Sequence, residues 1–358
     1  MNTNAATPET PARNGNKVRD TTITLAHGGG GKAMHDLIEE VFVARFDNPA
    51  LNVLEDQARF PIAELAAHGD RLAFSTDSYV VHPLFFPGGD IGCLAVNGTV
   101  NDLAMSGARP LYLSCSVIIE EGLPVAVLRR VAESMRRAAA AAGVLIVTGD
   151  TKVVNRGAAD KLFINTAGIG VIPTGIEIAA RRAEVGDVLL VNGSIGDHGV
   201  AILQARGDLA LEVSIESDSQ PLHGLVQAML AACPEIHCLR DATRGGLATV
   251  LNEFALAANV CMRIDEASIP VRDEVRGVCA ILGLDPLYFA NEGKLLAVVP
   301  RPRATAVLAA MRGHAAGQHA AQIGEVSASP QGIVILRTGF GGERIVDTLV
   351  GEQLPRIC

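Results

Sequence analysis

The sequence predicts an α/β (α+β) protein of two domains. Its 358 residues are 49% hydrophobic and 19% charged, enough chain for two ordinary cores. Trp is absent and aromatics make up only 4%, so those cores are built from Ala, Val, Leu and Ile, which suits helices packed closely on sheets. Apolar runs of strand length also alternate with amphipathic stretches of helix length along the chain.

Residues 1–21, rich in Asn, Thr, Ala and Pro and without an apolar signal-type run, read as a disordered lead. The first domain is expected over 22–173. Residues 22–25 start it and run into the glycines of His27-Gly28-Gly29-Gly30-Gly31-Lys32, and a helix follows through Leu37, Ile38, Val41 and Phe42. A short strand is expected over 71–78, a helix rich in small residues over 91–106, and a strand over 111–119. The 124–142 helix is the clearest element. Leu128, Val131, Ala132 and Met135 share one face, arginines and Glu133 the other, and Gly143 stops it. A buried strand at 144–147 enters Thr148-Gly149-Asp150-Thr151-Lys152, and another strand follows over 162–172.

The pattern changes around 173–186, which places the boundary there. In the second domain, 174–338, strands are expected at 188–191, 260–264 and 295–299, and residues 331–336 close the domain. Helices are expected at 197–204, 222–232, from Gly246 to about Ala258, and at 304–311. Residues 339–358 read as a flexible tail carrying Cys358.

Net charge is −9 with pI near 5.5, and no basic stripe appears, which excludes a nucleic-acid binder. No run reaches the ~18 apolar residues of a membrane span, so a cytoplasmic protein is expected. The seven cysteines (93, 115, 233, 238, 261, 279 and 358) are odd in number and scattered, so they form no disulfide framework. Cys233 and Cys238 flank His237 with no zinc-site spacing.

Several motifs carry chemistry. Gly31-Lys32 is not a P-loop, because Ala26 and Ala33 stand where Gly and Ser/Thr are needed. Gly28, Gly29, Gly30 and Gly31 beside Lys32 can form either a flap over phosphates or a plain turn. Asp77, Asp102, Asp150 (after Gly149) and Asp241 stand at element ends. Each alone is a common turn former or cap, but together they can converge on Mg²⁺ bridging nucleotide phosphates. Asp241 precedes Gly245 and Gly246 at a helix start, where exposed N–H groups favour an anion. Lys152 and Glu292 form the candidate acid–base pair, each also readable as a surface ion. Lys152 and Asp150, two apart on an extended segment, point the same way. Cys358 ends the sequence after Pro355-Arg356-Ile357, where a thiol serves as nucleophile or carrier.

From about Ile23 to Cys358 the sequence resembles the HypE family of hydrogenase-maturation carbamoyl dehydratases, within the PurM-like (AIR synthetase) superfamily. The carrying motifs are Leu25-Ala-His-Gly-Gly-Gly-Gly-Lys32, the run Ser75–Gly92, Asn101-Asp-Leu-Ala-Met-Ser-Gly-Ala108, Thr148-Gly-Asp-Thr-Lys-Val-Val154, Arg240-Asp-Ala-Thr-Arg-Gly-Gly246, Asn291-Glu-Gly-Lys294 and Pro355-Arg-Ile-Cys358. The resemblance implies an N-terminal half-barrel domain, a C-terminal α/β sandwich domain and a homodimer. It implies ATP and Mg²⁺ as cofactors, with metal at Asp77, Asp102 and Asp150. It further implies that HypF loads a carbamoyl group onto Cys358, that ATP drives its dehydration to a thiocyanate, and that a HypC–HypD complex receives the cyano group on iron for a [NiFe]-hydrogenase. A superfamily kinase or ligase acting on a free small molecule would not need Cys358. A passive nucleotide-switched thiol carrier would not turn over ATP.

Overall fold

The computed structural model describes residues 17–207 and 214–349. Its first half is a four-stranded sheet backed by two helices. The strands are β1 (Arg71–Tyr79), β4 (Arg109–Glu120), β5 (Leu145–Val154) and β6 (Leu162–Ile172). A small ribbon of β2 (Phe85–Phe86) and β3 (Gly89–Asp90) leads into the helix Ile91–Met105. The sheet order is β1-β6-β4-β5, so β1 and β5 are its two edges. β4 and β5 run parallel, and the other neighbours are antiparallel.

Asp90 caps the Ile91–Met105 helix, accepting from the N–H groups of Gly92 (2.7 Å) and Cys93 (3.1 Å). That helix is almost wholly buried between the sheet, the Val125–Ala142 helix and the second domain. Gly98 allows its close approach, since a Cβ there would lie 2.2 Å from the Tyr79 hydroxyl. The Val125–Ala142 helix buries Leu128, Val131, Ala132 and Met135, as its periodicity predicts, and ends at Gly143 in the left-handed region at φ 65°.

The other face of the sheet is open. Leu72 and Phe74 on β1, Ile118 on β4 and Leu145 on β5 are exposed there, with Phe74 at 71%. Monomeric proteins rarely leave such a face uncovered.

The second half is a seven-stranded sheet: β7 (Val188–Val191), β8 (Cys238–Asp241), β9 (Cys261–Asp265), β10 (Leu295–Val299), β11 (Ala321–Ser327), β12 (Ile333–Arg337) and β13 (Glu343–Val346), ordered β13-β12-β9-β11-β7-β10-β8. The helices His223–Ala232 and Arg301–Arg312 cover one face and Gly246–Ala258 covers the other. This forms the expected sandwich.

Two boundaries differ from the sequence reading. Residues 343–346, expected in the tail, form β13 on the sheet edge, and Val346 is fully buried. Its side chain joins the core beneath the Gly246–Ala258 helix, where Asn252 donates to the Val346 carbonyl at 3.0 Å. At the other end the fold begins before Thr22. Val18 is buried and donates to Glu40 at 2.7 Å, so the last residues of the expected lead belong to the core.

Candidate active site

Two groups of functional side chains stand on opposite edges of the first sheet. The first gathers on the β1 side. Ser75 and Asp77, two apart on β1, point to the face covered by the Ile91–Met105 helix. Asp102 on that helix accepts from the Ser75 hydroxyl at 2.8 Å. Asp241, at the end of edge strand β8, completes the acidic group, since β8 packs against the same helix. Burial, and then the neighbouring Asp102 charge, push the Asp241 carboxyl up to about 7. Burial also raises Asp102, with Asp77 adding to the effect. Arg244 reaches from the second domain to Asp77 at 3.3 Å.

Tyr79 lies in the middle of this group. Burial first, then the charges of Asp77, Glu292 and Asp102, hold its phenol protonated. Glu292 is itself 4% exposed, in the loop that feeds β10. Gly245 and Gly246 both adopt left-handed φ (70° and 61°) at the start of the Gly246–Ala258 helix. A Cβ on Gly246 would stand 2.5 Å from the Leu287 and Phe289 carbonyls, so only glycine lets the helix begin here.

The second group lies on edge strand β5. Asp150 and Lys152 pair with Ser116 and Ile118 of β4 in register, which puts both on the open face. Their side chains are 3.1 Å apart and more than half exposed. Gly149 permits the strand pairing, since a Cβ would sit 2.1 Å from the Cys115 carbonyl. The glycine-rich segment packs on the same strand. A Cβ on Gly28 would meet Val153 at 2.9 Å, and the Lys32 ammonium is exposed, 2.7 Å from Asp36. Beside these residues opens a cavity of about 370 Å³, walled by Met34, Phe42, Leu54, Cys115 and Ile146, with Thr148 and Asp150 at its rim. An apolar pocket with polar groups at one end suits a flat heterocycle bearing a charged chain.

Within one chain, then, Asp77, Asp102, Asp241 and Glu292 come together, while Asp150, Lys152 and residues 28–32 stand apart from them. Three strand spacings separate β1 from β5, roughly 14 Å. Among the described residues no three His, Cys, Asp or Glu groups are arranged to hold a metal ion alone. Carboxylates raised by burial and mutual repulsion nevertheless fit Mg²⁺, which takes one or two carboxylates and shares its other positions with phosphate and water.

Cys358 lies outside the described residues. The six described cysteines are free thiols, five of them buried. Burial pushes Cys115 and Cys238 up to about 12 and Cys279 to about 11, so none of these three supplies a thiolate near neutrality. The sequence reading missed Ser75, Tyr79, Asn101, Asp218 and Arg244. Ser75, Tyr79, Asn101 and Arg244 stood inside quoted motifs, whereas Asp218 had no local signal.

Fold and site together define an AIR synthase related protein. The N-terminal domain model of that family matches residues 55–172 and its C-terminal domain model matches 184–337. Carbamoyl dehydratase HypE of Rhodobacter capsulatus is 60% identical over 341 residues, covering 95% of this chain and 99% of that protein. The Escherichia coli protein of the same name is 54% identical, covering 94% and 99%. A crystal structure of the hydrogenase maturation protein HypE in complex with ATP superposes with TM-score 0.88 at 51% identity, covering 93% and 99%. A HypE–HypF complex superposes at 0.76 with 46% identity, covering 87% and 99%. The chain belongs to the carbamoyl dehydratase HypE family.

Proposed function

We propose that this chain carries a carbamoyl group on Cys358 and dehydrates it to a thiocyanate at the expense of ATP. The observation that carries the reading is near-full-length identity of 60% to a carbamoyl dehydratase. The described thiols add support, because five of the six are buried and so poorly placed to carry a substrate group.

Adenosine occupies the cavity beside β5, and the phosphates run past residues 28–32 and Lys152. The ATP-bound relative supports this nucleotide. Asp77 and Asp102, with Asp150, would hold Mg²⁺, which would supply charge neutralisation for the phosphates. The carbamoyl oxygen takes the γ-phosphoryl group, which makes a leaving group of a poor one, and loss of phosphate with both N–H protons leaves C≡N. Glu292, buried and tied in place, takes the protons, while exposed Lys152 clamps phosphate oxygens.

A second copy completes the site. Each chain presents half of the required side chains at β1 and half at β5, with an uncovered apolar face between them. Pairing two such faces brings one copy's β5 edge to the other's β1 edge. The relative crystallised with HypF supports HypF as the loading partner, and the family resemblance supports delivery to HypC–HypD. The free thiols suit a reducing cytoplasm.

The test is intact mass spectrometry of the chain incubated with HypF, a carbamoyl donor and ATP. A carbamoyl adduct on Cys358 that converts to cyano is expected, with ATP consumption that stops in Cys358→Ala. An unmodified Cys358 in a preparation that still turns over ATP refutes the reading.

A further inference from the structure

The loop 291–294 is tied down from three sides. Asp218, with a side chain 3% exposed, accepts from the Glu292 backbone N–H at 3.0 Å through Oδ1 and from the Lys294 ammonium at 2.8 Å through Oδ2. Asn101, beside Asp102 on the Ile91–Met105 helix, donates to the Glu292 carbonyl at 3.2 Å and to the Gln220 carbonyl at 3.1 Å. The Gly293 carbonyl accepts from Asn192 at 3.0 Å and from Gln220 at 3.2 Å. A Cβ on Gly293 would stand 1.9 Å from the Asp218 carbonyl, so the loop can approach only as glycine. Both peptide groups flanking the Glu292 Cα are therefore fixed by side chains from other segments.

We propose that Asp218, paired with Lys294, is a positioning residue that aims Glu292 at the reacting group, a role that rests on the reading of Glu292 as the base. A buried ion pair adds little net stability over an apolar pair of the same volume, because desolvation offsets the attraction. What the apolar pair cannot do is accept the Glu292 N–H. Burial opposes the Asp218 charge, yet Lys294 and His198 hold its carboxyl below the usual range, so the acceptor stays charged. Asn101 supplies the opposing bracket, so one helix sets both Asp102 and the Glu292 carbonyl. A general base must be held close to the productive geometry, and a small misplacement is costly.

The test compares two double variants in the carbamoyl-loaded full chain, following phosphate release and the cyano adduct. Asp218→Ala/Lys294→Met removes both charges and the acceptor. Asp218→Asn/Lys294→Met removes both charges but keeps an oxygen opposite the Glu292 N–H. The Ala/Met variant is expected to lose about tenfold or more in kcat, with the KM for ATP moving less than about threefold. The Asn/Met variant is expected to stay within about threefold of wild type in both. Equal kcat in the two variants, whether both are low or both unchanged, overturns the proposal. If the Ala/Met variant fails to fold, Gln220→Ala takes its place. That change loosens the Gly293 carbonyl and is expected to lower kcat about threefold at constant KM, and an unchanged kcat again overturns the proposal. Glu292→Gln separates the two ideas. Full turnover in Glu292→Gln removes the base itself, whereas an inactive Glu292→Gln beside a fully active Ala/Met variant removes only the positioning role.

Discussion

Asp77 and Lys152 stand on opposite edges of one sheet, and their distance makes the composite site testable. With order β1-β6-β4-β5, three strand spacings part them, roughly 14 Å. A lysine side chain cannot cross that gap, and Lys152 points to the open face while Asp77 points to the covered one. If a phosphate chain needs both, they come from different copies. Asp77→Asn and Lys152→Met should each lower kcat by about a hundredfold, as loss of one group stabilising transition-state charge does. In a dimer carrying one of each, one site holds both changes and the other holds neither. Heterodimers purified through two different tags should therefore recover about half of wild-type activity, and an unselected equal mixture about a quarter. Steady-state phosphate release from carbamoyl-loaded protein reads this out, with sedimentation confirming the assembly. A tagged heterodimer as inactive as its parents would show that the site lies within one chain.

The other two predictions of this group concern the second domain. Asn192 donates to the Gly293 and Ala316 carbonyls and accepts from the Leu295 N–H, all in the interior. Asn192→Leu leaves the Ala316 carbonyl and the Leu295 N–H without these partners, at ~1–3 kcal/mol each, while Gln220 still holds the Gly293 carbonyl. Urea unfolding should show a loss of about 2–6 kcal/mol. Asp197 is 3% exposed, and burial pushes its carboxyl up to about 6 despite Arg272 at 3.1 Å. Its folded pKa is raised, so its contribution to stability is full below pH ~4 and is lost as pH rises through about 6. Asp197→Asn should remove that dependence and raise the relative melting temperature above pH 6. Parallel pH–melting curves for the two proteins would contradict this.

Sequence periodicity revealed the long elements because burial on one face dictates it, as in the Val125–Ala142 helix. It failed where partners supply the structure. β5 extends to Val154, although the strand was expected only over 144–147, because Gly, Asp, Thr and Lys are weak strand formers and the β4 ladder imposes extension on them. β8 and β13, with four residues each, are too short for a period, and the helix Asp273–Leu282 and β11 were not read at all. The site was legible as motifs but not as a grouping. Asp77, Asp102 and Asp150 looked equivalent at element ends, and only strand order tells that two share one edge while the third faces away at the other. Asp218 was invisible because its role depends on a pairing 76 residues away.

The same geometry divides the labour between Lys152 and Glu292, which the sequence alone left open. A lysine base needs a lowered pKa, which burial or a nearby cation provides. Lys152 has neither. Its side chain is 64% exposed and its neighbour is the Asp150 carboxylate at 3.1 Å. An exposed cationic side chain on the open face suits a phosphate clamp. Glu292 is buried, and its backbone is tied on both sides. Lys152→Arg separates the two roles, because a guanidinium keeps the charge and the donors but cannot give up a proton near neutral pH. A clamp predicts that Arg retains most of the kcat that Met loses, with any deficit left in the Arg variant mainly in the KM for ATP. A base predicts that Arg and Met are equally inactive in kcat. Single-turnover conversion of the carbamoyl adduct at saturating ATP measures the difference, and equal inactivity there would move the proton-accepting role from Glu292 to Lys152.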